Sequence, residues 1–385
     1  MGNRVLGLDI SKMSATACVL TSIPHDPKSW LRRNKPATIK VDSEGRKELL
    51  KLDFDFAVME PTGVYSRVWR HWLGSAGKSF RLVGHHELKA YREGWKIPSK
   101  TDKLDALALA MYGIERGDRP ECWISDKEHR LSDLVALHVH LNNQKNGLQN
   151  YLRQKLCYQV PEWYDRKIIR PWGRTSVPGI YMAIAGNPSS KWEAELSSTC
   201  GVGLDATAAS LARALMAIET EEIEVEQAII EEIGKSEYSR YLSASETCDM
   251  SEWLTVNILS CVYPFEQFLR NGKRVNVHTY TANNKRVRRD ESLRSFKLSV
   301  GLGLVWAQSG DWSGWTPGGS GVTRSAIHNS VSCQYMRHKK LIKNGAEGIP
   351  ELEIVKHRGD SHGMMKVARK QVERFYKELV KEFDA

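Results

Sequence analysis

Short apolar runs punctuate the first 110 residues. Val5-Leu-Gly-Leu-Asp9 and Ala15-Thr-Ala-Cys-Val-Leu20 are runs of strand length on either side of a polar turn, and Thr38-Ile-Lys-Val-Asp42 predicts a third strand before a short helix from Glu44 to Leu50. Phe54-Asp-Phe-Ala-Val-Met-Glu60 predicts a buried strand stopped by Pro61-Thr-Gly63. A helix from Tyr65 to Gly74 and a strand from Ser79 to Gly84 follow. The alanine-rich run from Asp102 to Ala110 then predicts a helix, with Pro98 and Ser99 or Thr101 as its start signals. Strands followed by alternating helix and strand indicate an α/β domain.

From about Ser125 the texture becomes helical. Leu134, Leu141 and Leu148 recur every seven residues, flanked by Leu131, Leu137 and Leu152, and predict a long amphipathic helix. A second helical stretch, Ala206 to Ile233, is a candidate partner for it; heptads alone leave open whether they pair within one chain or between two. Between them, Trp163, Tyr164, Arg166, Lys167, Arg170, Trp172 and Arg174 form an aromatic, basic segment that serves either as a docking loop or as a nucleic-acid contact. Further helices are expected at Trp253 to Val262 and at Met364 to Phe383, with a glycine-rich loop from Val300 to Arg324. The expected organisation is an α/β domain over 1–122, a helical coiled-coil arm over 123–245 and a mainly helical domain over 246–385.

Composition narrows the class. Lys and Arg number 56 against 46 Asp and Glu, a formal charge of +10 that suits a polyanionic partner. The seven cysteines include no C-x-x-C pair, so neither a zinc knuckle nor a disulfide framework is suggested and a reducing compartment is the default. The amino end has no signal-peptide-like apolar stretch, and no apolar run reaches the roughly 18–20 residues of a membrane span. A soluble, cytoplasmic protein with no membrane partner is expected.

Four acids carry the candidate chemistry. Asp9 and Glu60 stand at the ends of predicted strands, where open α/β sheets place ligands. Asp102 and Asp105, three apart at a helix start, share one face of the first turn. Each alone reads as a cap or surface charge, since acids commonly complement a helix N-terminus. Together they have the composition of a site for Mg²⁺ or Mn²⁺, whose hard charge suits carboxylates and phosphate. His138 and His140 have no acid or cysteine at ligand spacing and read as packed or exposed. The basic run Lys285-Arg-Val-Arg-Arg289 with Arg294 and Lys297 is either a solvated charge run or a phosphate-neutralising patch.

Gly7-Leu-Asp9-Ile-Ser-Lys12, Met59-Glu60-Pro-Thr-Gly63-Val-Tyr and Ser99-Lys-Thr-Asp102-Lys-Leu-Asp105-Ala together resemble the DEDD transposases of bacterial and archaeal insertion sequences, the family that includes the Piv invertase and the bridge-RNA-guided recombinases. Gln308-Ser309-Gly310 and Arg324-Ser-Ala-Ile327 are similar to that family's carboxyl-terminal transposase domain. The resemblance implies a RuvC-like, RNase H-type amino-terminal domain in which Asp9, Glu60, Asp102 and Asp105 bind metal, and Ser309 as the nucleophile that forms a phosphoserine link with DNA. Lys100, Lys103, Lys285, Arg286, Arg288, Arg289, Arg294, Lys297 and Arg324 are the expected nucleic-acid contacts. The implied partners are double-stranded DNA at element ends and target, a structured noncoding guide RNA, and further copies of the chain in a homodimer or homotetramer, within a prokaryotic, nucleoid-associated setting. Where the family pattern has Gly-x-Gly ahead of the last domain, this chain reads Cys248-Asp-Met-Ser-Glu252.

Three rivals share parts of this pattern. A hydrolytic RuvC-like nuclease or junction resolvase would activate water at the same acids. An actin-like sugar kinase begins with a similar Gly7-Leu-Asp9 loop but needs a second phosphate motif, which this chain lacks. A basic, non-catalytic coiled-coil scaffold would tolerate loss of all four acids.

Overall fold

The computed structural model describes residues 3–96, 101–119, 122–123, 130–280, 285–309 and 312–384. They fall into two compact units, Met1–Asp126 and Lys127–Ala385.

The first unit contains strands β1 (Val5–Ile10), β2 (Ser14–Leu20), β3 (Ala37–Lys40), β4 (Phe56–Met59) and β5 (Ser79–Leu82). Its helices are α1 (Pro27–Arg33), α2 (Ser43–Lys51), α3 (Val64–Ser75), α4 (His85–Gly94) and α5 (Asp102–Arg116). The strands make one mixed sheet in the order β3-β2-β1-β4-β5, with β3, β2 and β1 antiparallel and β1, β4 and β5 parallel. Alternation along each strand divides two cores. Leu6, Leu8, Ala57 and Met59 join Trp69 and Leu73 of α3 on one face, while Val5, Phe56 and Val58 join Leu107, Met111 and Tyr112 of α5 on the other. With both faces covered, β1 and β4 read as nearly unbroken apolar runs, which is why they are visible in the sequence.

Gly7 sets how closely α5 lies on β1. A Cβ there would stand 2.0 Å from Ala106 O and 2.6 Å from Ala110 N, so only glycine admits the helix backbone. Further along, a Cβ on Gly113 would meet Val5 Cγ1 at 2.5 Å. Later residues of α5 thus lie over earlier residues of β1, and the helix runs antiparallel to the strand with its first turn over the strand's carboxyl end.

The predicted strands form within a few residues of the expected bounds, but the sequence pattern does not anticipate α1 and α4. Asp26 caps α1 by accepting from Lys28 N at 3.0 Å, with Pro27 at the first helical position. α4 has no side-chain cap, and six of its ten residues are charged or histidine, so it carries little apolar signal.

The second unit contains α6 (Arg130–Gln159), α7 (Gly179–Ile184), α8 (Ser190–Ser197), α9 (Ala206–Ile233), α10 (Ser239–Thr247) and α11 (Glu252–Val262). The short hairpins β6 (Leu269–Arg270) with β7 (Lys273–Arg274) and β8 (Asn276–Tyr280) with β9 (Arg286–Asp290) follow. Then come α12 (Glu291–Ser299), the hairpin of β10 (Leu304–Ser309) and β11 (Trp312–Pro317), α13 (Gly321–Lys343) and α14 (Ser361–Glu382). The expected glycine-rich loop is therefore partly a correction: between tight turns it forms an antiparallel ribbon. Gly319, at φ +74 with a Cβ position 1.6 Å from Leu298 O, ends that ribbon where no other residue fits.

α6 and α9 pair within the chain, antiparallel, as successive contacts Arg130–Glu232, His138–Glu226, Lys145–Glu222 and Lys155–Asp205 show. The seam differs from the leucine heptad expected of α6. Buried or half-buried positions run Leu131, Val135, His138, Asn142, Lys145, Gln149, Leu152 and Leu156, alternating by four and three, whereas Leu134, Leu141 and Leu148 flank this line half-buried. α9 answers with Ala208, Ala212, Leu215, Glu219, Glu222, Glu226, Ile229 and Ile233, all buried. One apolar end of the arm packs with Trp163, Ile180 and Tyr181, and the other joins the core of the carboxyl-terminal helices around Phe265, Phe296, Val331 and Phe375.

Candidate active site

Strand register brings Asp9 and Glu60 side by side. β1 and β4 are parallel with Leu8 opposite Met59, so Asp9 and the residue after β4, Glu60, occupy the next level at the carboxyl edge. Asp9 shares a strand face with Val5 and Gly7, the face that α5 covers. Pro61, which has no N–H to donate, ends the ladder at Glu60, and Gly63 at φ +52 turns the chain into α3.

The first turn of α5 lies over the same edge. Thr101 caps it, its hydroxyl accepting from Leu104 N at 3.3 Å. Asp102 is exposed and Asp105 is buried. α4 holds two of the four acids: His85 Nδ1 lies 3.1 Å from Glu60 Oε1, and Arg92, seven residues on and so on the same helix face, pairs with Asp105 Oδ1 at 2.8 Å. The arrangement is an edge of carboxylates braced by two basic side chains from one helix. A hard divalent cation fits this donor chemistry, because the donors are carboxylate oxygens from two strand ends and one helix start, accessible at Asp102. The acids do not converge into a tight donor cluster.

Such a cluster does occur among the described residues of the second unit, at His138, Glu222 and Glu226, whose ligand atoms lie within 4.8 Å of one another. Its chemistry is that of an ion-pair network. Arg174 donates to Glu219 at 2.7 Å, Glu222 at 2.6 Å and Glu226 at 3.2 Å, Arg170 Nε donates to Glu219 at 2.7 Å, and Lys145 pairs with Glu222. Three cations answer three carboxylates, leaving no surplus negative charge for a metal. Burial pushes the Glu222 carboxyl up, but Lys145, Arg174 and His138 together hold it below its ordinary value. His138 is packed, with its ring 4.5 Å from Trp253, and Trp172 lies 4.8 Å from Trp253. Of the two readings of the aromatic, basic segment, docking is what these contacts serve: Trp163 donates to Glu195 at 2.8 Å, and Arg170, Trp172 and Arg174 close over α6 and α9. Sequence spacing missed this network because its acids come from α9, some eighty residues from His138.

The remaining candidates are dispersed. Lys103 is exposed on α5, and Lys100 lies outside the described residues. Arg286, Arg288 and Arg289 project from the exposed strand β9, with Lys285 exposed just before it. Arg294 is exposed beside Glu291 at 3.6 Å, Lys297 pairs with Glu373 at 2.8 Å, and Arg324 donates to Gly301 O at 3.3 Å. Ser309 is the last residue of β10, its backbone opposite Trp312 across the hairpin. Trp306 and Trp315 face each other on the same ribbon at 5.5 Å, both more than half exposed.

Acids at the carboxyl edge of a mixed sheet are an arrangement that metal-assisted hydrolases and nucleotidyl transferases use. Residues 6–159 match the family model of the IS110-type DEDD transposases, described as "Transposase". The pilin gene-inverting protein of Moraxella lacunata is 26% identical over 213 residues, covering 53% of this chain and 63% of the relative. That of Moraxella bovis is 27% identical over 182 residues, covering 45% and 52%. The match thus spans less than two thirds of either relative. No helix among the described residues is long and apolar enough to cross a membrane.

Proposed function

We propose that the chain is a transposase or recombinase that cuts and rejoins double-stranded DNA at the ends of its own insertion sequence and at a target. The observation that supports this most is the placement of Asp9, Glu60 and the Asp102/Asp105 turn at one sheet edge, in a domain that matches the DEDD transposase family model. In this reading the domain is RuvC-like, of the RNase H type, and Asp9, Glu60, Asp102 and Asp105 hold Mg²⁺ or Mn²⁺. The cation, when bound, neutralises charge on the scissile phosphate.

The chain's own groups have separable tasks. Arg92 balances Asp105 and His85 orients Glu60, so the edge keeps its acids in place while phosphate enters. Ser309 Oγ attacks phosphorus; its bond to phosphorus forms as the bond to the leaving deoxyribose oxygen breaks, and that oxygen takes up a proton. The phosphoserine ester preserves the free energy of the broken phosphodiester, so another strand's hydroxyl can displace serine without ATP. The basic side chains of β9 and α12 carry DNA backbone, and a noncoding RNA from the element selects sites by pairing. The acids and the serine act on one phosphate in a homodimer or homotetramer.

The deciding experiment is adduct trapping. Wild-type protein incubated with element-end DNA and Mg²⁺, then denatured, should retain DNA covalently; Ser309→Ala and Asp102→Asn should retain none while still binding DNA. Cleaved DNA with no adduct would assign the chain to the water-activating nucleases.

A further inference from the structure

The hairpin of β10 and β11 presents its apolar face to water. Among the described residues its strands pair only with each other, with Leu304 opposite Pro317 and Trp306 opposite Trp315, so these four share one face. All four are exposed, whereas Gly314 and Thr316, which alternate with them along β11, are half-buried. An antiparallel ribbon with one covered face ordinarily turns polar positions outward, and an exposed apolar patch marks a place where something docks. The two indoles keep 57% and 59% of their surface in water, with ring centroids 5.5 Å apart and planes at 78°. Such an edge-to-face pair leaves ring faces uncovered.

The face stands on a fixed foot. A Cβ on Gly303 would lie 2.7 Å from Leu298 Cα and one on Gly318 2.7 Å from Leu298 Cδ1, so both ends of the ribbon seat closely on α12. Charge then selects the occupant. From Ser292 to Ala346 the sequence carries one acid, Asp311, beside seven Lys and Arg. Arg324, at the ribbon's foot, donates to Gly301 O at 3.3 Å and pairs with no acid among the described residues. A second copy of the chain would set these cations against themselves. A nucleic-acid strand answers both features, with phosphates for the cations and flat base faces for the indoles. Bases inside a duplex are covered by their neighbours, so the face on offer is that of an unpaired base.

We propose that the outward face of this ribbon is a stacking platform for unpaired bases, with Trp306 and Trp315 as the rings they lie on. Ser309 ends the same strand three residues after Trp306, about 10 Å along β10 at the rise of a strand. Under the serine chemistry proposed above, the stacked bases therefore stand within a few nucleotides of the phosphate attacked. The inference rests on the nucleic-acid reading and deepens it, by naming single-stranded bases as what this part of the second unit holds.

The test is anisotropy of the full chain with a fluorescein-labelled single-stranded 20-mer, as DNA and as RNA, and with the matching DNA duplex. Trp306→Ala combined with Trp315→Ala should weaken the single strand about tenfold, or ~1.4 kcal/mol, and the duplex far less. Replacing both by Leu should cost as much as Ala, while replacing both by Phe should restore most of the affinity, because phenyl keeps a π face that leucine lacks. Should the Ala pair melt below wild type, the Leu and Phe pairs, which keep apolar bulk, decide. The strand weakened more, DNA or RNA, is the one the platform holds. Leucine binding as tightly as tryptophan would reduce the ribbon to an apolar protein-docking face, and equal loss on the duplex would make it a groove contact. Loss of self-association in sedimentation with single-strand affinity unchanged would make it a subunit interface; each of these overturns the proposal. If oligonucleotides bind and the Ala pair binds them as wild type does, the platform fails alone. If wild type binds none, the nucleic-acid reading fails with it.

Discussion

Arg92 of α4 and Asp105 of α5 form an ion pair of 2.8 Å whose side chains retain only 16% and 7% of their exposure. The pair fastens two helices at the candidate site and offsets the charge of a buried acid. Loss of one partner from a buried ion pair costs about 3–5 kcal/mol. Arg92→Gln and Asp105→Asn should therefore each destabilise the protein strongly in urea melts. The Arg92→Gln/Asp105→Asn double variant should be more stable than the sum of the single losses implies. Strict additivity in that cycle would mean the two side chains do not act as a pair.

Gly7→Ala tests the packing of β1 against α5. The added carbon would sit 2.0 Å from a backbone oxygen that cannot rotate away, so either helix or strand must move. Overpacking of a rigid core costs typically about 1–3 kcal/mol and occasionally more. Thermal unfolding should show a loss in or above that range and, on the proposed function, weaker DNA cleavage, because the displaced helix carries Asp102 and Asp105. An unchanged melting temperature would show that the helix is not seated as described.

Glu162 should titrate far below the ordinary glutamate value. Its carboxylate accepts from Cys200 N at 2.9 Å and from the Thr199 hydroxyl at 2.7 Å, and these bonds, the Cys200 amide first, lower its pKa to about 2. Because the folded value is depressed, the stabilisation is complete above the ordinary range near 4.3 and disappears as pH falls toward 2. Carbon-detected NMR titration reads the midpoint directly. Thr199→Val should move it upward, and a wild-type midpoint near 4 would refute the bonding.

Replacing Arg286, Arg288 and Arg289 by glutamine removes three exposed cations from β9. The dependence of log K on log salt for duplex DNA should flatten by roughly 0.9 for each phosphate the strand no longer neutralises, at little cost in stability. Anisotropy titrations between low and moderate salt measure that slope. No change in slope would return the strand to the status of a solvated charge run.

The sheet was legible in the sequence because β1 and β4 are covered on both faces and so need unbroken apolar runs. The acids were legible because Asp9 and Glu60 end those runs and Thr101 announces the turn that carries Asp102 and Asp105. α4 was hidden by its polarity, although it supplies both His85 and Arg92; basic residues that meet distant acids leave no periodic trace. The arm shows the opposite failure. Its helices were visible, but the leucine stripe suggested a seam through Leu134, Leu141 and Leu148, because the middle of the true seam is polar. His138, Lys145 and Gln149 face inward only because Glu219, Glu222 and Glu226 answer them from the other helix.

That charged middle determines which helices can be joined into an arm. A one-heptad slip of α9 against α6 would set carboxylates against Leu131 or Leu152, and an α9 grafted from a relative with acids at other levels would do the same. Exchange between diverged elements should therefore succeed only when both helices and the Arg170–Arg174 segment travel together, making the arm a unit of inheritance rather than a string of interchangeable leucines.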